Sequence, residues 1–531
     1  MPTSQEGSVS QEACTPSQEG AAPPSAAAWR RHLGPAADGF GVADLVAGGS
    51  LPRVWAERWA AEPGRRVLWA AEAGGWVTAG ELEERTRRRA GQLAALGVGP
   101  GDRVLSCLPS SLELVEWHVG ALRLGAVAVP ANPAYREREL AHVVADAEPA
   151  AVLVPDAERA TWAAPAHPGA TVVGPDTPRP DPADVPLDRA GPDAPALLPY
   201  TSGTTGAPKG ALLTHANLLA GVRALVAAWR WSPDDVLVLA LPLFHMHGLG
   251  VGLHGTLTAG AAAVLQPSFD AAAVLDAVAE HRATLFFGVP TMYARLVAAD
   301  GAVALGVLRL CVSGSAPLPS DLHRRVEEVS GQRVLERYGM TETLMNLSNP
   351  YDGERRPGTV GLPLPGVEVR LSEGDHGEIE LRGPNVFAGY WRRPEATAEA
   401  FTADGWFRTG DLAEVDADGY HRIVGRSKEL IISGGYNVYP REVEEALAEL
   451  PGVREAAVVG TPSPEWGEVV TAFVVREPGP AGGGGDGPVD AAAIERWCAE
   501  RLAPYKRPRL IRFVESLPRN ALGKVLRDQL R

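Results

Sequence analysis

The stretch "RVLSCLPSSLELVEWHVGALRLGAVAVPAN", residues 103–132, sets an amphipathic segment between two short apolar runs. "RVLSCLP" predicts a strand, "SLELVEWHVGALRLG" a helix that stops at Gly125, and "VAVPAN" the next strand. Glycine suits the stop because it enters the left-handed backbone region without a Cβ penalty. Strands joined through a helix run parallel, with the helix as the crossover. The same alternation continues through "RERELAHVVADAEP", "AAVLVPD", "DVLVLALPLFH", "ATLFFGVP" and "VLRLCVSGSA". It indicates an α/β fold of parallel sheets, with binding loops at the carboxyl ends of the strands.

Working outward, 531 residues exceed one compact core, so more than one domain is expected. Residues 1–37 open with three "SQE" repeats and a Pro/Ala run, and read as a disordered tail. Residues 38–425 form the large domain. The texture changes after residue 425, where "GRSKELIISGG", "YPREVEEALAEL", "EAAVVGTP" and "VVTAFVVRE" predict a small α+β unit over 429–531. Its tract "PGPAGGGGDGP" offers nothing to pack and reads as a surface loop. A net charge of −15 argues against nucleic-acid binding. The four cysteines form no CxxC or Cys/His cluster, so neither a zinc site nor a disulfide framework is indicated. No apolar run reaches the roughly 18 residues of a membrane span, so a cytoplasmic protein is expected.

"YTSGTTGAPKGALLTH", residues 200–215, has the glycines, hydroxyls and lysine of a phosphate-gripping loop without the GxxxxGK[ST] ending. With it come "PLFHMHGL", "VSGSAPL", "ERYGMTET", "GEIELRGPNVFAGYWRRPEAT", "DGWFRTGDLAEVDADGY", "GRSKELIISGGYNVYPREVE" and "PRNALGK". Together, in this order, they resemble the adenylate-forming superfamily of acyl-CoA synthetases, luciferases and adenylation domains. Within it, "ERYGMTETLMNLSNPYDGERRPGTVGLPLPGV" looks most like the malonyl-CoA synthetases.

The resemblance implies a large ATP- and acyl-binding domain and a small mobile C-terminal domain turning about a hinge at 426–428. It implies a carboxylate–CoA ligase reaction in two steps. The acid attacks the α-phosphate of ATP to give an acyl-adenylate and pyrophosphate, and the CoA thiol then displaces AMP. Thr201, Ser202, Gly203, Thr204, Thr205, Gly206 and Lys209 would grip the leaving phosphates. Glu342 would hold Mg2+, which needs few protein ligands when phosphates complete its shell. Thr341 would meet the α-phosphate and Tyr338 would lie against adenine. Glu336 and Arg337 would stand around the purine, with Gly314 and Ser315 on its other side. Asp411 would accept the two ribose hydroxyls, aided by Arg426. Lys524 would bridge carboxylate and α-phosphate, and is the expected target of any lysine acetyltransferase.

Lys428 falls at the family's hinge position, and Gly434 and Gly435 would line the CoA channel. Ile432 stands where some relatives carry a second lysine, so that role is not transferred. His245, then His247, would orient the acid, with Met340 in the acyl pocket. Malonate or methylmalonate brings a second carboxylate that needs a buried cation. Arg295 in "GVPTMYARL" is the first choice and Arg282 the weaker one. The competing readings are a general short- or medium-chain or aryl acyl-CoA synthetase, and a stand-alone adenylation enzyme loading a carrier-protein thiol.

Overall fold

The computed structural model describes residues 24–201, 208–433, 436–463, 466–477, 489–519 and 524–531. The opening unit folds as its pattern dictates. Strand Arg103–Ser106 pairs parallel with Val127–Pro130, and helix Leu112–Leu124 joins them. Ser111 caps the helix by accepting from the Leu114 amide at 3.1 Å. Gly125 ends it at φ +86°.

That unit belongs to an eight-stranded sheet, whose parallel strands include Ala151–Leu153 and Thr171–Val173. A second sheet of nine strands has a parallel core of Arg66–Ala70, Ala262–Leu265, Val236–Leu239, Leu285–Gly288, Leu310–Ser313 and Leu335–Tyr338. One apolar cluster runs through both sheets, from Trp55 and Trp117 to Leu213, Trp229 and Leu335. A four-stranded antiparallel sheet follows, comprising Glu368–Glu373, His376–Arg382, Phe407–Val415 and His421–Arg426.

The C-terminal part is a separate small layer with its own core. Strands Ile431–Ser433, Tyr436–Val438, Val453–Ser463, Gly467–Arg476 and Leu510–Phe513 carry helices Pro440–Ala448 and Ala491–Arg501. The chain is thus a large α/β domain plus a small α+β domain. Among the described residues no helix is long and apolar enough to cross a membrane.

Residues 24–37, placed by composition in a disordered tail, are ordered. Pro24–Leu33 is helical and Gly34–Ala37 a tight turn. Arg31 donates to the Asp418 carbonyl at 2.5 Å and stacks over the Tyr420 ring at 4.9 Å. His32, only 2% exposed, lies 3.3 Å from the Leu362 carbonyl oxygen. These anchors attach a segment whose neighbours are poor in apolar residues. The "SQE" repeats and the glycine-rich tract lie outside the described residues.

Candidate active site

The phosphate-type loop springs from paired strands. Tyr200–Thr201 runs antiparallel to Lys209–Thr214, with Thr201 opposite Lys209. Ser202, Gly203, Thr204, Thr205 and Gly206 lie outside the described residues. The Lys209 ammonium sits 5.3 Å from the centre of the Tyr390 ring.

"YGMTE" leaves the carboxyl end of strand Leu335–Tyr338. The Tyr338 hydroxyl donates to Asp411 Oδ2 at 2.6 Å. Arg426, opposite Asp411 in the adjacent strand, reaches Oδ1 at 2.8 Å. Asp411 is therefore anchored on both oxygens, and each retains a lone pair for a further donor. Thr341 and Met340, both half-buried, follow Tyr338, and the Tyr338 hydroxyl lies 3.8 Å from Met340 Sδ.

Glu342 is 6% exposed. Its Oε1 accepts from the Tyr390 hydroxyl at 3.0 Å, and its carbonyl accepts from the Phe387 amide at 2.9 Å. Burial raises its carboxyl pKa, against a backbone hydrogen bond and the Tyr390 hydroxyl. A carboxylate this buried calls for a cation, and a divalent ion fits that need. Among the described residues no cluster of three or more metal-binding side chains exists, so phosphate and water oxygens would supply the remaining ligands.

A second cluster lies on the other face of the same strand. Arg337 is 4% exposed, and its Nε and Nη2 have no hydrogen-bond partner. Burial lowers its pKa to about 9, against the opposing pull of Glu336. His245 and His247 feel its charge. Burial, and then Arg337, lower the His245 pKa to about 4 and hold His247 well below its ordinary value. The His247 amide donates to His245 Nδ1 at 3.3 Å, while His247 Nδ1 lies 3.3 Å from Ser315 Oγ. Ser315 holds φ at +66°, a left-handed conformation uncommon for serine. His247 Nε2 is buried without a partner. Two neutral imidazoles and an unpaired guanidinium thus share one buried space.

Glu336 points elsewhere. Its Oε1 accepts from the Leu318 amide at 2.9 Å and its Oε2 has no partner. Burial raises its pKa to about 7.

The small domain brings Lys524 to the Asp411 side. Lys524 reaches solvent, yet stands in a crowded cleft where burial and then Arg426 lower its pKa, opposed by Glu429 and Asp411. Arg527 binds Glu444 at 2.7 and 2.8 Å and Glu429 at 3.3 Å. Lys428 lies in the tight turn Ser427–Glu429 between strands His421–Arg426 and Ile431–Ser433. Gly434 and Gly435 lie outside the described residues.

Arg295 stands apart from the buried cluster. It is exposed on helix Pro290–Val297, with its guanidinium 4.9 Å from the centre of the Phe269 ring. Arg282 occupies a turn at φ +51°. Tyr390 has no role implied by the sequence, although its "FAGYW" context is one of the stretches that carry the resemblance.

The family described as AMP-binding enzyme matches residues 55–391, and the one described as AMP-binding enzyme C-terminal domain matches 442–524. A feruloyl-CoA synthase of Amycolatopsis sp is 40% identical over 86% of this chain and 93% of its own. A sulfoacetate–CoA ligase of Cupriavidus necator is 39% identical over 91% and 96%. Among solved structures, ATP-bound MatB from Rhodopseudomonas palustris superposes with TM-score 0.84 at 42% identity, covering 91% of this chain and 98% of that one. A malonyl-CoA ligase with methylmalonyl-CoA and AMP bound gives TM-score 0.61 at 44% identity, covering 86% and 97%.

Proposed function

Because the chain belongs to the family of AMP-binding enzymes and is an ATP-dependent acyl-CoA ligase, we propose that its acid is malonate, with methylmalonate as a second substrate. One observation carries the choice: Arg337 is a buried guanidinium whose Nε and Nη2 both lack partners. Such a charge is costly unless an anion meets it, and the planar fork suits a carboxylate. A malonate with one carboxylate at the α-phosphate and the other on Arg337 meets that demand. The ferulate of the feruloyl-CoA synthases has no second carboxylate to offer. Sulfoacetate, named in the other relative, does carry a second anion, and it belongs in the test. Arg337, rather than the exposed Arg295, thus takes the role of the buried cation.

The remaining assignments follow from charge. Asp411 is the ribose acceptor, held by Arg426 and Tyr338. Glu342 holds Mg2+, which when bound neutralises phosphate charge. Lys524 places its ammonium between carboxylate and α-phosphate, where charge concentrates as adenylation proceeds. His245, neutral near pH 7, donates a hydrogen bond to the acid without adding charge beside Arg337. CoA, following ATP, is the thiol acceptor.

ATP–pyrophosphate exchange with malonate, methylmalonate, sulfoacetate, acetate, octanoate and cinnamate tests the reading, together with Arg337→Met. The expectation is malonate ahead of the monoacids in the native enzyme, and loss of that preference in the variant. Octanoate or cinnamate ahead of malonate in the native enzyme overturns the substrate. A malonate preference intact in Arg337→Met overturns the role of Arg337.

A further inference from the structure

The stretch "NVFAGYW", residues 385–391, touches the site at more points than its sequence suggests. Asn385 Nδ2 donates to the carbonyls of Thr343 and Met345 at 2.9 and 3.1 Å. The Phe387 amide donates to the Glu342 carbonyl at 2.9 Å. Strand Gly389–Tyr390 pairs with Lys209–Thr214, placing Gly389 opposite Leu212 and Tyr390 opposite Ala211. The segment is thus fastened on one side to the Glu342 loop and on the other to the stem of the phosphate loop.

Tyr390 is where the two attachments meet. Its hydroxyl donates to Glu342 Oε1 at 3.0 Å, while the Lys209 ammonium stands 5.3 Å from its ring centre. The ring also packs against Phe387, with centroids 4.9 Å apart in an edge-to-face arrangement. One rigid phenol therefore bears on a carboxylate through its hydroxyl and on an ammonium through its face. Both groups are directed at the nucleotide in the reading above, one toward the metal and one toward the leaving phosphates.

We propose that Tyr390 is a positioning residue that sets Glu342 for the metal-bound nucleotide through its hydroxyl and holds Lys209 for the phosphates through its ring. The proposal rests on the assignment of Glu342 and Lys209 to the nucleotide. Tyr390 needs no contact with substrate in this role. The hydroxyl fixes the rotamer of a buried carboxylate, so that one oxygen stays presented to the cation. The ring limits where a long, flexible lysine can place its charge, which lowers the entropy cost of gripping the phosphates.

The two halves separate by substitution. Tyr390→Phe removes the hydroxyl and keeps the ring, whereas Tyr390→Leu removes both. Calorimetric binding of an α,β-methylene ATP analogue to the full chain, in excess Mg2+ and in EDTA, reads the two effects without turnover. Tyr390→Phe is expected to raise the Kd about tenfold in Mg2+, the effect of losing a hydrogen bond to a charged group, and by less than twofold in EDTA. Tyr390→Leu is expected to weaken binding in EDTA as well, to the level of Lys209→Met. Thermal melts show whether each variant is folded, and Tyr390→Phe is the decisive variant because it preserves packing.

Glu342→Gln separates failure of the proposal from failure of the premise. If Glu342→Gln loses the Mg2+-dependent binding and Tyr390→Phe keeps it, the positioning role is wrong. If neither loses it, the assignment of Glu342 is itself wrong. Equal losses for Tyr390→Phe with and without Mg2+ also overturn the proposal, because they indicate a general packing defect.

Discussion

The guanidinium of Arg337 lies so close over Gly314 that a Cβ on the glycine would fall 2.3 Å from Arg337 Cζ. No side chain fits between them. Gly314→Ala is therefore expected to displace Arg337 while leaving the strand behind it intact. Since about 1.4 kcal/mol is tenfold in affinity, even a modest misplacement of the fork should raise the KM for malonate about tenfold. Steady-state kinetics in malonate and in acetate provide the check. A rise confined to malonate supports the placement, and an unchanged malonate KM refutes it.

Lys524 supplies the second prediction. Lys524→Ala should slow adenylation about a thousandfold, as expected for one ion contact worth about 4 kcal/mol. Thioester formation from preformed malonyl-adenylate should be spared. Its pKa is lowered by burial, with Arg426 adding to the effect. The ammonium is the active form, so activity is lost as pH rises through a value below lysine's ordinary 10.5. Pyrophosphate exchange between pH 7 and 10 measures that limb. Equal loss of both half-reactions in Lys524→Ala would refute the assignment.

Much of the fold is legible in the amino-acid sequence. The alternation around residues 103–132 gave parallel strands and a helix stopped by Gly125, and both are present. The sequence placed "ERY" as one block around the purine, which gave no hint that Arg337 stands apart from its neighbours. A strand sends successive side chains to opposite faces, so Glu336 and Tyr338 share one side and Arg337 takes the other. Arg295 had a similar signal, since Tyr293 and Leu296 fill the buried face of its helix and leave Arg295 to solvent. Tyr390 gave none. Its contact with Glu342 spans 48 positions and depends on how a two-residue strand joins the sheet edge.

The N-terminal helix makes a further test possible. Tyr420 is contacted by both Arg31 and Arg356, whose guanidinium carbons stand 4.9 and 4.1 Å from its ring centre. Tyr420 immediately precedes strand His421–Arg426, which carries the partner of Asp411. Arg31→Ala removes one of those contacts, together with the donors to the Tyr420 hydroxyl and the Asp418 carbonyl. A loss of about 1–2 kcal/mol is expected, seen as a fall of about 2–4 °C in Tm with little change in turnover. An unchanged Tm would mean that the helix rests on the domain without stabilising it.

Acid stability depends on histidines that the fold keeps neutral. Burial lowers the pKa of His118, His215 and His32 to about 4 in each case. His118 and His254 contact each other through Nε2 at 2.8 Å, while both ring nitrogens of His215 lack partners. Below pH 6.5 the unfolded chain takes up protons that the folded chain refuses, so these groups destabilise the fold as pH falls toward 4. Each such shift corresponds to a loss on the order of 3 kcal/mol by pH 4. Glu336, raised to about 7, acts with the opposite sign and costs stability as pH rises from 4.5 to 7. His215→Leu isolates one histidine, because an apolar side chain of similar size leaves no orphaned nitrogen behind. Thermal melts from pH 7 to 4.5 should show the variant at least as stable as the native protein at neutral pH. They should also show a shallower loss in acid, by close to one proton. A slope equal to that of the native protein would mean that His215 does not stay neutral in the fold.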